Sequence, residues 1–204
     1  MILTSNNFSI IQKRIDSYPY AQIYARLIQN AENYVGGKIF TLKNSNKVDN
    51  LFIIQNILLE VSLAYVLTKN KTYKSCIMST VDALINGQWY VKHFCKELHL
   101  GYLLSGLVVA KDIFVNFLSI RLSEAEIFER VIKEVADRLY LDSQTKNWGR
   151  LESGFNAWNH SAIPSSALAL AGVLCPDLEG ASTWKAFGKK KCLNFWMMEL
   201  QMLV

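Results

Sequence analysis

Two stretches of this chain carry apolar side chains almost all the way round a helix: LFIIQNILLEVSLAYVL at 51–67 and AIPSSALALAGVL at 162–174. An amphipathic surface helix keeps one polar face for water, whereas a helix that is apolar on every side must be enclosed by its neighbours. The chain therefore needs a layer of other helices around these two. The segment 124–140 has the character of such an outer element. Its Ile127, Phe128, Val131, Ile132, Val135, Ala136, Leu139 and Tyr140 fall on one helical stripe, and the remaining face is wet. Ser123 and Glu126 have the spacing of a capping box at its start. Pro164 fits the first turn of the second enclosed helix, where a missing N–H is tolerated.

Further helices are expected at 20–34, 72–86, 97–118 and 180–203. Turns as short as TKNKT and SIRLS separate several of them, which favours antiparallel neighbours. No alternation of period two bounded by turn signals is present, which argues against a substantial sheet. The fold class expected is all-α, a single helical domain over 1–204 made of hairpins in series. Enclosed and amphipathic helices together are what an inner and an outer layer produce, as in an α/α barrel or solenoid. An irregular bundle gives the same signal, and no strict repeat separates the two.

Composition excludes several classes. At 51% hydrophobic and 19% charged residues the chain is globular rather than disordered. A net charge of +5 is too mild and too scattered to imply nucleic acid, though it suits a polyanionic ligand. The one basic run, Lys189 to Lys191, reads first as a solvated helix face and second as a partner patch. Cys76, Cys95, Cys175 and Cys192 form no CxxC pair, so neither a zinc site nor a disulfide framework is indicated. His93, Cys95 and His99 lie on different faces if helical, so no metal or other cofactor is expected. The first twenty residues carry no recognisable signal peptide, and the apolar run 98–110 is too short to span a bilayer before Lys111 and Asp112 interrupt it.

Between the amphipathic helix and the enclosed one lies LDSQTKNWGRLESGFNAWNH at 141–160, a polar loop with two Trp and two Gly. Loops that carry Trp, Asn, Arg and His between regular helices are where binding groups concentrate. Each residue also has a plain structural reading: Trp148 and Trp158 as caps on the core, Asn159 as a helix N-cap, His160 as a structural histidine.

The order of segments resembles the N-terminal α/α toroid of the heparinase II/III and oligo-alginate lyase superfamily. IQNILLEVSLAYVLTKNKTYKSCIMSTVDALI at 55–85 and LHLGYLLSGLVVAKDIFVNFLSIRLSEAEIFERVIKEV at 98–135 look like two of its helical hairpins. NWGRLESGFNAWNHSAIPSSALALAGVL at 147–174 is similar to its Asn-His segment leading into a small-residue inner helix. The resemblance spans residues 20–204 and implies an incomplete (α/α) toroid and a polysaccharide lyase acting on acidic, uronate-containing polysaccharide or oligosaccharide. By the match of position, Asn159 would bind the uronate carboxylate and His160 would neutralise it or act as the base. The family's catalytic Tyr would lie downstream of Val204, and its members usually act in the periplasm or outside the cell.

The chemistry accounts for these residue types independently. Removing the C5 proton of a uronate sets a second negative charge beside a carboxylate, so amide or imidazolium donors must neutralise the developing charge while a base takes the proton. Trp148 and Trp158 could stack on sugar faces and Arg150 could pair with a neighbouring uronate. A non-catalytic carbohydrate-binding or scaffold module is the second expectation. A glycoside hydrolase is the third, disfavoured because Glu152 is the only carboxylate within 147–160. The apolar helix end at 192–204 is expected to self-associate or to meet a further domain.

Overall fold

In the computed structural model, residues 5–36, 50–87, 96–117, 122–149 and 158–202 are described, and among them every regular element is helical. An N-terminal helix α1 (Ser5–Arg14), not expected from the sequence, leads to α2 (Tyr20–Val35). The first enclosed stretch is α3 (Asn50–Asn56), a π turn (Ile57–Val61) and α4 (Ser62–Thr68) in continuous succession. The chain then reverses into α5 (Lys71–Gly87). A second pair follows, α6 (Glu97–Phe117) and α7 (Leu122–Thr145), then a 3-10 turn at Asn147–Gly149. The last pair is α8 (Trp158–Leu174) and α9 (Ala181–Met202).

The α4–α5 reversal takes two residues. Lys69 ends α4 in the left-handed region at φ 58°, with its N–H on the Tyr65 carbonyl at 2.7 Å. The Asn70 side chain then accepts from the Thr72 amide at 3.0 Å, satisfying one of the free donors at the start of α5. The antiparallel pair α6/α7 is fixed by Phe114 against Phe128, ring centres 5.7 Å apart, and by Lys111 to Glu129 at 2.7 Å.

The hairpins stack with like helices adjacent. Phe52 on α3 meets Tyr102 on α6 at 4.5 Å, and Tyr65 on α4 meets Phe114 further along α6 at 5.8 Å, so the α3–α4 unit and α6 run parallel. Helix α8 lies on the other side of α6, also parallel: Glu97 pairs with His160, and Gly101 packs onto Pro164. The returning helices α5, α7 and α9 form the second layer, with α5 packed on α7 and Tyr140 of α7 edge-on to Phe187 of α9 at 5.7 Å. The core lies between the layers. Leu58, Ile77, Leu103, Leu107, Phe114, Phe128, Ile132, Leu139 and Leu168 are all fully buried there.

Several local expectations are corrected. Helix α8 begins at Trp158, so Pro164 sits inside it rather than in its first turn. Proline has no N–H, so the His160 carbonyl loses its donor from four residues on. The distortion is accommodated because Gly101 opposite has no side chain: a Cβ there would stand 3.0 Å from the Pro164 backbone. Helix α7 begins at Leu122, which moves Ser123 from the cap into the first turn. Nor is the small-residue helix α8 enclosed on all sides. Asn159, Ser166 and Val173, seven residues apart, form an exposed row along it, with the Ser166 hydroxyl 3.6 Å from the Cys192 sulfur of α9. The apolar side chains expected to form a surface at 195–203 lie outside those described, although Leu193 just before them is exposed.

By length and composition Leu51–Thr68 and Glu97–Val115 could each cross a bilayer, where the sequence reading allowed none. In this fold both lie in the first helix layer, packed on one another, and Asp112 within the second is 8% exposed.

Candidate functional site

Helices α6 and α8 begin side by side, and their first turns bring together residues 63 positions apart. Glu97 is the first residue of α6, where a carboxylate is favoured by the unpaired amides and the positive end of the helix dipole. Its Oε1 lies 2.7 Å from Nδ1 of His160, the third residue of α8. An ionised carboxylate can only accept, so Nδ1 is the donor to it; in the neutral ring Nε2 then keeps the lone pair. The carboxylate is 14% exposed and the imidazole 42%, so the anchor is sheltered while the ring keeps access to solvent. A histidine tied at one nitrogen by a carboxylate has the arrangement of an oriented general base.

Asn159 precedes His160 on the same turn and is exposed. Adjacent helical residues diverge by about 100°, so the Asn159 side chain belongs to the exposed row with Ser166 while His160 turns toward α6. Sequence reading paired the two residues as one site. The structure puts them on one turn but on different sides of it, and gives His160 a partner, Glu97, that the reading missed.

Trp148 lies in the 3-10 turn before α8 and is 5% exposed. Its ring stands edge-on to Phe187 at 6.2 Å, and its carbonyl accepts from the Ser161 hydroxyl at 3.2 Å. Of the two readings given for it, burial fits the cap on the core, since a ring so covered offers no face to a sugar. The turn depends on Gly149, where a Cβ would fall 1.7 Å from the Ser143 carbonyl oxygen. The Trp148–Ser161 bond thus ties the start of α8 to the end of α7. Arg150 and Glu152 lie outside the described residues, as does the side chain of Trp158.

Among the described residues no three His, Cys, Asp or Glu side chains cluster as a metal site. His99, one of the three weighed as ligands, packs its ring edge-on to Phe52 at 5.2 Å; His93 and Cys95 are outside the described residues. Cys175, at the end of α8, is 2% exposed. Burial pushes its thiol up, Lys111 opposes this, and Glu129 and Asp112 add to it, so it is no activated nucleophile.

No family model matches the chain, and no curated protein matches it. The site must be read from its own chemistry.

Proposed function

We propose that the stacked hairpins form an arc of an α/α toroid, and that the paired starts of α6 and α8 act on or bind a uronate-containing glycan as a polysaccharide lyase does. The observation that carries this reading is the 2.7 Å contact between His160 and Glu97 at the mouth of two parallel inner-layer helices. In the proposed reaction Nε2 of His160 takes the C5 proton of a uronate. The C5 electron pair becomes the C4–C5 double bond as the C4–O4 bond breaks, and O4 leaves with a proton from an acid or from water. Glu97 holds the ring and stabilises the imidazolium that forms. Asn159 and the first-turn amides of α8 supply donors to the uronate carboxylate, where negative charge accumulates.

A second reading, a carbohydrate-binding or scaffold module without activity, is favoured by one observation: Asn159 diverges from His160 on the first turn of α8. Incubation with alginate, heparan-type and capsular uronate glycans separates the two by ultraviolet absorbance of the unsaturated product. A lyase gives a rise that His160→Ala abolishes, and that Glu97→Gln lowers by about a hundredfold, the scale of a general-base contribution. Retention of glycan with no product supports the binding module, and neither retention nor product overturns both the lyase and the glycan-binding module, leaving the scaffold.

A further inference from the structure

At the opposite end of the first-layer helices, about 25 Å along α6 from Glu97, lies a cavity unrelated to the site above. It is a wide-open hollow of about 550 Å³ between α4, α5 and the start of α7, and Lys71, Ser75 and Ser79 on its rim are exposed. That volume lies inside the span of about 300–1,000 Å³ that small-molecule sites occupy.

The lining comes from three elements. Helix α5 contributes Lys71, Ser75 and Ser79, spaced four apart and so aligned in one row, with Lys74 and Met78 in the row beside it. Tyr65 of α4 forms the second wall and Glu124 of α7 the third. Glu124 is 8% exposed and its carboxylate receives the Lys74 ammonium at 2.9 Å. That bond fixes both groups where α5 meets α7 and leaves the ammonium, with three N–H donors, further donors to offer. The lining holds two lysines and one carboxylate, of which Lys74 and Glu124 are paired, so Lys71 leaves an excess positive charge beside a row of hydroxyls.

We propose that this cavity binds a small polyhydroxylated anion, its phosphate or carboxylate held by Lys71 and Lys74 and its hydroxyls by Ser75, Ser79 and Glu124. The cations fit a charged head group, and the fixed carboxylate, an acceptor with several lone pairs, fits the donor hydroxyls of a polyol. The apolar Met78 and the Tyr65 ring suit the carbon skeleton between them. The proposal does not rest on the lyase reading, since no residue is shared.

Calorimetric titration of the full chain at low salt tests it with four probes: glucose 6-phosphate, gluconate, inorganic phosphate and glucose. Saturable binding of either charged polyol, with glucose at least about tenfold weaker, is expected. Tighter glucose 6-phosphate assigns phosphate as the head group, and tighter gluconate assigns carboxylate. Lys71→Ala, at an exposed position in the first turn of α5, should weaken binding about tenfold, the value of one charge-assisted hydrogen bond. Ser79→Tyr should abolish it by filling the cavity, and a helical circular dichroism spectrum checks that both variants fold. Asn159→Ala with His160→Ala should leave it unchanged. No saturable binding by any probe, glucose binding as well as the charged polyols, or binding that survives both cavity variants overturns the proposal. Inorganic phosphate binding as tightly as glucose 6-phosphate overturns its polyol part.

Discussion

The hairpins α6/α7 and α8/α9 solve the same problem with opposite materials. Between α6 and α7 the space is filled by bulk: Phe114, Phe128, Leu103, Leu107 and Ile132 are fully buried between the helices and around them. Between α8 and α9 it is removed by absence. A Cβ on Gly172 would lie 2.3 Å from the Ala181 carbonyl oxygen, and one on Gly188 would lie 2.3 Å from that of Ser165. The two backbones approach to a distance that no side chain permits. Both α6 and α8 carry a long apolar run, 98–110 in one and 162–174 in the other, yet α6 gains stability from buried area and α8 from close backbone contact. A filled interface tolerates small adjustments and suffers from deletion; a close-packed one suffers from addition.

Substitutions in each direction separate the two cases. Phe128→Ala should cost about 4 kcal/mol of unfolding free energy, since a fully buried aromatic leaves a cavity between α6 and α7. Gly188→Ala should cost about 3 kcal/mol because the added methyl meets backbone on α8 that cannot rotate away. Denaturant unfolding measures both, and a Gly188→Ala protein as stable as the wild type would break the comparison.

A smaller effect appears with pH at the seam of the two hairpins, where Cys175, just past the end of α8, meets Lys111 and Glu129. Burial raises this thiol above its ordinary value of 9.0, and burial raises Cys76 on α5 likewise. A raised acid keeps its proton longer in the folded state than in the unfolded one. The stability it contributes is therefore full below about pH 9 and is lost as pH climbs toward the folded value. Melting temperatures should fall above pH 9 in the wild type and fall less steeply in Cys175→Ala; equal slopes would assign the alkaline loss to other groups.

Helix boundaries at 20–35, 71–87, 97–117 and 181–202 were legible because apolar periodicity and turn residues are local signals. The errors were also physical. Pro164 suggests a helix start, but the helix extends six residues before it because Gly101 on another element leaves room for the distorted turn. Ser123 has the chemistry of a cap, but Glu124 is drawn to Lys74 across 50 positions and Leu122 already belongs to the helix. In the candidate site His160 could be picked out by its neighbours in sequence. Glu97 could not, since 63 residues separate the two and an acidic residue opening a helix is explained by that helix alone.

By itself, then, the sequence determined that this chain is helical, which segments are amphipathic, and that two stretches are too apolar to face water on every side. Those are properties of residue order over a few turns, set by periodicity and by the free energy of burying apolar surface. Which helices touch, which imidazole meets which carboxylate, and where a cavity remains between α4, α5 and α7 were decided only in the tertiary structure. Such contacts depend on how closely two backbones can approach, and that distance is fixed jointly by residues distant in sequence, such as Gly101 with Pro164 and Gly188 with Ser165.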